Sequence, residues 1–598
     1  MIQITDKTKC CGCNACGDIC AHQAITFQTD IEGFWYPVVD REKCVDCGLC
    51  EKVCPVIHAK ELKKNDLPQS ICYAAENKNI EVVFDSTSGG LFSALADIMY
   101  KDSGYVGGAV FNEDFSVRQY ISADKKDLPR LRSSKYLQSN LEGFYKQVRD
   151  LLRNGEKVLV CGSPCQMAAM RAFLRKDYEN LVIADYICRG INSPKVWRKY
   201  LDSFEERYGS KVVYCKAKSK EYGWRNLTQK VILENGKHVY ETKDQSNFTK
   251  GYLQTGVYCR PSCYDCQFKG YPRMSDITLA DFWGIEKVNT SMEKNLGTSL
   301  VMVNSKKGEA FFERVKSRIH YVQVPFGSIE AGNRSLNKSV DPPKVDRGEF
   351  FSDLDKMTFL QIADKYIQPQ KRSSKQTIKK MLKRALLVAR ETQCKPKPLW
   401  QLFKYNSLSD LLHGNILLPT PYCVIDIAKG ATVNKRGITR LGVKIKFRHS
   451  HLETRLSVAK GGTLNLGPGT FIGYGADVEV FSGATLTFKG NGGSNIGLTV
   501  VCGDHIEFGK DVMMGRHVTV RDNNGSHFIN RQGYKNSKPV IIGDKVWLCE
   551  SCTVMNGVRI GDGAIVGAKS FVISKVPAHS MVSGHPATVV DEDVLWKY

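Results

Sequence analysis

Ile542, Leu548, Val554, Ile560, Val566 and Val572 stand six positions apart. The fifth place of each hexad is small or β-branched: Val546, Cys552, Val558, Ala564 and Ser570. A six-residue period of this kind marks a β-helix, in which each hexad makes one flat face of a coil and its aliphatic residue points into the core. A coil cannot bury its apolar side alone, so neighbouring coils must stack. An earlier series, Leu466, Ile472, Val478 and Ala484, keeps the same step, and Phe508, Met514 and Val520 form a third. The interval from Val520 to Ile542 is not a multiple of six, so a loop must leave the coil there. That loop holds Asp522, Asn523, Asn524, Gly525, Ser526 and His527.

The repeat occupies only the last part of a 598-residue chain, a length that suggests roughly four domains. Four stretches differ in character: 1–65 is cysteine-rich, 70–345 mixes strand-like and helical runs, 346–415 is basic and helical, and 416–598 is rich in glycine and β-branched residues. The fold class expected is therefore multidomain, α/β plus β. With 42% hydrophobic and 25% charged residues, a mainly disordered or collagen-like chain is excluded. The first residues have no apolar signal-like core, and no run of about 18 apolar residues occurs, so the expected location is cytoplasmic.

Nine of the 22 cysteines fall between Cys10 and Cys54. In a reducing cytosol such clustered thiols read as metal ligands or redox groups before disulfides. Cys10, Cys13, Cys16 and Cys20 form a Cys-x2-Cys-x2-Cys-x3-Cys run, which Cys44, Cys47, Cys50 and Cys54 repeat, followed by Pro55. This is the spacing of a two-cluster bacterial ferredoxin, in which the fourth cysteine of each run ligates the other cluster. Cys10, Cys13, Cys16 and Cys54 would hold one [4Fe-4S] cluster, and Cys44, Cys47, Cys50 and Cys20 the second. Paired zinc sites are the alternative, disfavoured by two full runs in tandem. Cys11 falls outside the frame and is expected to be a spectator, and Ala21 stands where the first run would usually have proline.

Beyond residue 70 the sequence predicts two strand-loop-helix passages. Val82-Val83-Phe84 leads into Asp85-Ser86-Thr87-Ser88-Gly89-Gly90 and a helix from Leu91, and Val158–Val160 leads into Cys161-Gly162-Ser163-Pro164-Cys165-Gln166 and another. Small residues at a helix N-terminus let backbone N–H groups approach a phosphate, although most such starts are only caps. Cys259, Cys263 and Cys266 lie close together in sequence and could hold most of a third cluster. Cys188, or one of Cys161 and Cys165, could complete it, and buried structural cysteines are the alternative.

These residues, with Ser134-Lys135-Tyr136, Cys188-x-Gly190, Ser275-Asp276-Ile277 and Asp281-Phe282-Trp283-Gly284, resemble the coenzyme F420 hydrogenase/dehydrogenase beta-subunit family over about 70–345. The resemblance implies an α/β domain bearing FAD and an iron–sulfur cluster, with Ser88, Gly89 and Gly90 near the flavin and Cys188, Cys259, Cys263 and Cys266 as metal ligands. It does not imply F420 as substrate. A flavin exchanges one or two electrons, so a ferredoxin module ahead of it would act as a wire into a two-electron site.

The coil resembles the hexapeptide-repeat sugar O-acetyltransferases, which have a left-handed parallel β-helix, most firmly after Phe508. The residues that carry this are Arg521-Asp522-Asn523-Asn524-Gly525-Ser526-His527, Trp547, and Gly584-His585-Pro586-Ala587. What it implies is acetyl-CoA as cosubstrate, His527 as the base on a sugar hydroxyl, and Asp522 as its orienting acid. Trp547, Gly567, Ala568 and Pro586 would lie along CoA in a homotrimer. His505, His517, His579 and His585 are read as structural.

The formal net charge of +23 would suit an anionic partner. Its densest part is Lys371–Arg390, where eight bases meet no acid and Ile378, Met381, Leu382, Ala385 and Ala389 recur at helical steps. Such a helix reads as a membrane-surface contact or as a solvated linker helix. No nucleic-acid module accompanies it. The combined expectation is an iron–sulfur flavin oxidoreductase fused to an O-acetyltransferase acting on a sugar or lipid-linked glycan in surface-polysaccharide synthesis. Two alternatives are a redox enzyme with the coil as trimerisation or glycan-binding scaffold, and a non-enzymatic assembly protein.

Overall fold

The computed structural model describes residues 1–62, 65, 67–293, 295–367, 374–444, 449–525, 527 and 529–596, without the side chains of 374–380. The chain forms two compact units, Met1–Pro369 and Gln370–Trp596.

In the first unit the cysteine-rich segment folds as two short helices, Ala15–Ile19 and Leu49–Lys52, that pack together beside the hairpin Ile25–Thr29/Trp35–Val39. Each helix follows a residue in the left-handed region, Asn14 at φ 66° and Gly48 at φ 69°, so the two cysteine runs share one local geometry. Asp30 closes the hairpin by accepting the N–H groups of Glu32 and Phe34, each at 3.0 Å.

The rest of this unit is built on a nine-stranded sheet. Its order is Ile319–Val324, Ile71–Asn77, Ser299–Val303, Ile277–Asp281, Leu181–Tyr186, Val158–Gly162, Tyr105–Phe111, Val117–Ser122 and Ser139–Asn140. The four strands from Ile277–Asp281 to Tyr105–Phe111 run parallel, with antiparallel neighbours on either side. Parallel strands are covered on both faces and so read as continuous apolar runs. Val158, Val160, Leu181 and Ile183 pack with the helices Phe144–Arg153 and Pro164–Leu174. Leu159, Val182 and Ala184 pack with Leu91–Lys101 and Lys306–Val315 on the other side.

Val82-Val83-Phe84 was expected to be a strand and is instead part of the helix Ile80–Asp85. Asn79 caps it by accepting from Glu81 N–H at 2.9 Å and Val82 N–H at 3.4 Å, and this local capping outweighs the strand preference of three residues. The expected linker 346–415 is divided between the units. Helices Arg347–Leu354 and Phe359–Tyr366 bury Phe350, Phe351, Leu354, Phe359 and Ile362 in the cluster that holds Trp197 and Tyr200. Helices Ser374–Thr392, Pro396–Tyr405 and Leu408–His413 pack around Leu402, Ile416 and Leu418 at the start of the coil.

Lys371, Arg372 and Ser373 lie outside the described residues, as do the side chains of Lys375, Ile378, Lys379 and Lys380. In the described part of that helix Leu387 and Val388 face inward, whereas Met381 and Leu382 are exposed. The apolar series picked out by its spacing is thus the outer face.

The second unit is a parallel β-helix of three sheets, with nine, seven and six strands. The hexad residues Ile542, Leu548, Val554, Ile560, Val566 and Val572 are buried in one continuous core, as are the four of the series from Leu466 and the three from Phe508. Trp547 pairs with Ile565 and Thr553 with Phe571, so each late turn takes three hexads. Upstream, Asp477 pairs with Thr499 and Thr499 with Thr519; both turns are longer than three hexads, their corners hold the excess, and the six-residue step lapses there. Met513 pairs with Trp547, and the far longer turn between them carries the loop with His527. The last strands, Met581–Gly584 and Ala587–Asp591, pair antiparallel and close the stack.

Leu548 is fully buried whereas Trp547 beside it is 40% exposed. Leu548→Ala should therefore cost about 2–5 kcal/mol and Trp547→Ala under about 1 kcal/mol. Urea denaturation followed by far-ultraviolet circular dichroism checks both.

Candidate active sites and cysteine centres

The first cysteine run is built into the first unit. Cys11, Cys13 and Cys16 are buried, Cys10 and Cys54 partly so. Burial pushes the Cys16 thiol well up, and Cys13, Cys10 and Cys54 lie near enough to push it further. Such thiols stay protonated until a metal displaces the proton. In the second run Cys50 is buried, Cys44 partly so and Cys47 exposed, and Cys20 is partly buried. Backbone N–H groups already point at two of these sulfurs, Ile2 at Cys50 and Ala24 at Cys20, each at 3.4 Å.

Asp18, Glu32 and Arg260 are among the side chains that hold this segment on the sheet-bearing part of the unit. Asp18 accepts from Gly143 N–H at 2.7 Å and Tyr145 N–H at 3.1 Å, at the start of the helix Phe144–Arg153. Glu32 takes a two-pronged bond from Arg347, both arms 2.7 Å. Arg260, fully buried, donates from Nε to Cys10 O at 2.7 Å, from Nη1 to Gln138 Oε1 at 2.9 Å and from Nη2 to Trp35 O at 3.1 Å.

A cavity of about 630 Å³ opens at the carboxyl ends of the parallel strands, where ligands of open α/β sheets bind. Cys161 and Gly162, Tyr186 to Cys188, and Leu279 to Asp281 come from three of those strand ends. Ser88 and Gly90 line it and Gly89 does not. A Cβ on Gly89 would lie 2.4 Å from Ala75 O, so that glycine serves strand packing. Gly90, at φ +80°, starts the helix Leu91–Lys101 at the cavity wall. Arg132, Arg189, Lys218, Arg225, Lys243 and Arg334 line it, and Asp281 is the one acid among the described lining residues. Lys218 bonds Asp281 at 2.5 Å, and Trp283 stacks on Trp224 at 4.5 Å. Gln119 Oε1, in the wall, has no hydrogen-bond partner among the described residues.

A second, smaller hollow gathers Cys165, Cys188, Cys263 and Cys266, with Lys269 and Arg273. Cys188, Arg189, Gly190 and Ile191 line both cavities and form their common wall. Cys259, expected in this set, is outside the lining. The antiparallel bridge between Asn192 and Cys259 turns its thiol toward Asn192 Oδ1, at 3.5 Å. Cys165 lines the hollow from the first turn of the helix Pro164–Leu174, which Ser163 and Gln166 start with a capping box. A hydrogen bond from Cys11 is the main cause holding the Cys165 thiol down at about 7, aided by Ser163 and Gln166 against burial. Cys11 bonds Cys13 as well, so it joins the first run to this hollow.

In the coil, Asp522 is fully buried and accepts from Gly503 N–H at 2.6 Å, Asp504 N–H at 2.9 Å and Asn523 Nδ2 at 2.7 Å. It anchors the root of the loop, and its hydrogen bonds among the described residues do not reach His527, which is exposed near the tip. Asn536 clasps the loop, its Oδ1 accepting from Asn524 Nδ2 at 3.0 Å and Ile529 N–H at 2.8 Å. Trp547 stands outward with its ring 5.8 Å from Trp596, Gly567 is buried against Ser583, and Ala568 and Pro586 are exposed. Cys11, expected to be a spectator, instead contacts Cys13 and Cys165; Arg260, Gln138 and Asn536 carry no role that residue spacing predicts.

Residues 155–325 match the family described as the C-terminal part of the beta subunit of coenzyme F420 hydrogenase/dehydrogenase, and residues 9–57 match the 4Fe-4S dicluster domain. The chain thus carries segments similar to iron–sulfur oxidoreductase modules ahead of a segment similar to the hexapeptide-repeat O-acetyltransferases. The coil's relatives include a putative lipopolysaccharide biosynthesis O-acetyl transferase, WbbJ, of Escherichia coli (strain K12), 26% identical over 155 residues that cover 23% of this chain and 79% of that protein. They also include the galactoside O-acetyltransferase of the same organism, 28% identical over 158 residues, 25% of this chain and 74% of that one. Among solved structures, a chain of the F420-reducing [NiFe] hydrogenase complex from Methanosarcina barkeri aligns with 56% of this chain and 97% of its own, at 16% identity and a TM-score of 0.31.

Asn536→Ala should unfasten the His527 loop at a local cost of about 1–3 kcal/mol. Limited proteolysis should then nick the segment 524–536 faster while the urea midpoint of the coil stays put.

Proposed function

We propose that the chain couples two chemistries: an iron–sulfur flavoprotein oxidoreductase in its first unit, and an acetyl-CoA-dependent O-acetyltransferase acting on a sugar in its second. The observation that carries the redox half is the wall Cys188–Ile191 shared by the four-cysteine hollow and the large cavity. Cys188, Cys263 and Cys266 are assigned, with Cys165 as fourth, to a third iron–sulfur cluster beside Cys10, Cys13, Cys16 and Cys54, with Cys44, Cys47, Cys50 and Cys20 outermost.

The large cavity fits FAD in volume and in the free acceptor Gln119 Oε1. FAD supplies hydride exchange with a two-electron partner and single-electron exchange with clusters. Ser88 and Gly90 would offer the N-terminus of Leu91–Lys101 to its diphosphate, Arg189 and Lys243 would add positive charge, and Trp283 would give a flat face.

In the coil, His527 takes the proton of a sugar hydroxyl as that oxygen attacks the thioester carbonyl of acetyl-CoA. The C–O bond forms, the C–S bond breaks and CoA leaves as its thiol. Asp522 and Asn536 act one step removed, by fixing the ends of the His527 loop. Trp547, Gly567, Ala568 and Pro586 are assigned to CoA. The exposure of His527 and Trp547 in one copy favours a homotrimer in which a second copy covers the acyl donor. Relatives described as lipopolysaccharide and galactoside acetyltransferases support a sugar or lipid-linked glycan acceptor.

No described helix is long and apolar enough to cross a membrane. The exposed Met381, Leu382 and Leu386, at 54%, 60% and 69% exposure, on a basic helix favour contact with the surface of one.

Anaerobically purified protein should carry flavin and about twelve irons per chain, and Cys266→Ser about eight. Iron, sulfide and flavin analysis tests this; a colourless preparation would overturn the redox assignment. His527→Ala should lower acetyl transfer to glycan acceptors by about 100- to 10,000-fold with CoA binding retained. Absence of transfer in wild type and variant alike would leave the coil as a scaffold.

A further inference from the structure

Arg260 is a buried cation set against Cys10, a ligand in the proposed inner set. Its side chain is wholly enclosed, and besides its bonds to Cys10 O, Gln138 and Trp35 its Nη2 lies 3.5 Å from Cys10 Sγ. The guanidinium sits over the Tyr36 ring at 4.2 Å. Gln138, also buried, fixes it in place by donating to Gly12 O at 3.2 Å while accepting from Arg260. A guanidinium keeps its charge under all ordinary conditions, and in so enclosed a place that charge is poorly screened.

The second cysteine run has the opposite surroundings. Cys47 is exposed, and the nearby Asp46 and Glu51 carboxylates pair with the amino terminus, each at 3.1 Å. Reduction adds one electron, and so one negative charge, to a cluster held by four thiolates. Hydrogen bonds to sulfur and local charge set its potential.

We propose that Arg260 raises the reduction potential of the cluster held by Cys10, Cys13, Cys16 and Cys54 above that of its neighbour, making the inner cluster the resting place of an electron that enters at the exposed Cys47 side. The step moves one electron from an external one-electron donor through the outer cluster to the inner one, with no bond made or broken. Arg260 is a positioning residue: it holds charge against the cluster and does not touch the flavin cavity. The inference rests on the dicluster assignment.

The test is an anaerobic potentiometric titration with dithionite, read by electron paramagnetic resonance. Cys47→Ser identifies the outer cluster's signal. Arg260→Gln should lower the reduced-to-oxidised ratio of the inner cluster at fixed potential at least tenfold, which is about 59 mV for one electron, and leave the outer midpoint in place. Arg260→Lys, which keeps the charge, should recover most of the shift. Gln138→Glu, which keeps Arg260 but sets a carboxylate against it in place of the amide, should shift the inner midpoint in the same direction. A merely structural role would alter iron retention and melting temperature without moving a potential.

An unmoved inner midpoint in Arg260→Gln and Gln138→Glu, with cluster content intact, overturns the proposal. So does loss of the inner cluster in both variants, which assigns Arg260 to assembly alone. Wild-type protein lacking both signals would instead overturn the dicluster assignment.

Discussion

A buried guanidinium must find partners for its donors or cost several kcal/mol, and in the first unit Arg260 finds them on the ferredoxin-like segment. Its bonds to Cys10 O and Trp35 O tie together segments far apart along the chain. With them fixed, the first cysteine run lies against the helices Phe144–Arg153 and Pro164–Leu174, and Cys11 and Cys13 enter the same apolar cluster as Met167 and Met170. Cys11 then meets Cys165, and Cys165 meets the hollow that shares a wall with the large cavity. One desolvated charge thus ties the first cysteine run to the sheet-bearing part of the unit.

The coil obeys a different constraint. Its parallel strands pair only with the turns above and below, so every inserted residue must leave as a loop or lengthen a corner. The long step from Met513 to Trp547 pushes the surplus out at the place where Asp522 ends the strand Thr519–Arg521. A buried carboxylate there satisfies two backbone N–H groups of the preceding turn, which lets the coil open for the loop without leaving unpaired groups. The acid at the root of the His527 loop is therefore first a structural device. The same economy shows at Gly89, whose missing side chain makes room for Ala75 and Ser299 while its neighbours Ser88 and Gly90 face the cavity.

Much of this was legible in the chain because it is written in short spacings. Two identical cysteine runs, and aliphatic residues six apart, are local patterns whose geometry leaves few folds open, and the phase break after Val520 marked a loop by spacing alone. The strand expected at Val82-Val83-Phe84 failed because one capping asparagine outweighed three residues of strand preference. The outward face of Met381 and Leu382 was hidden because periodicity identifies a stripe without saying what packs on it.

By itself the sequence determined the dicluster segment, the parallel coil and the site of its loop, since each depends on residues close together along the chain. Only the tertiary structure decided that Cys165 lines the hollow with Cys188, Cys263 and Cys266, that Arg260 joins Cys10 to Gln138, and that Asn536 clasps the loop of His527. Those choices depend on side chains brought together from distant segments, where a single bridge such as Asn192 to Cys259 turns a thiol aside. No spacing rule encodes which way a buried side chain is turned.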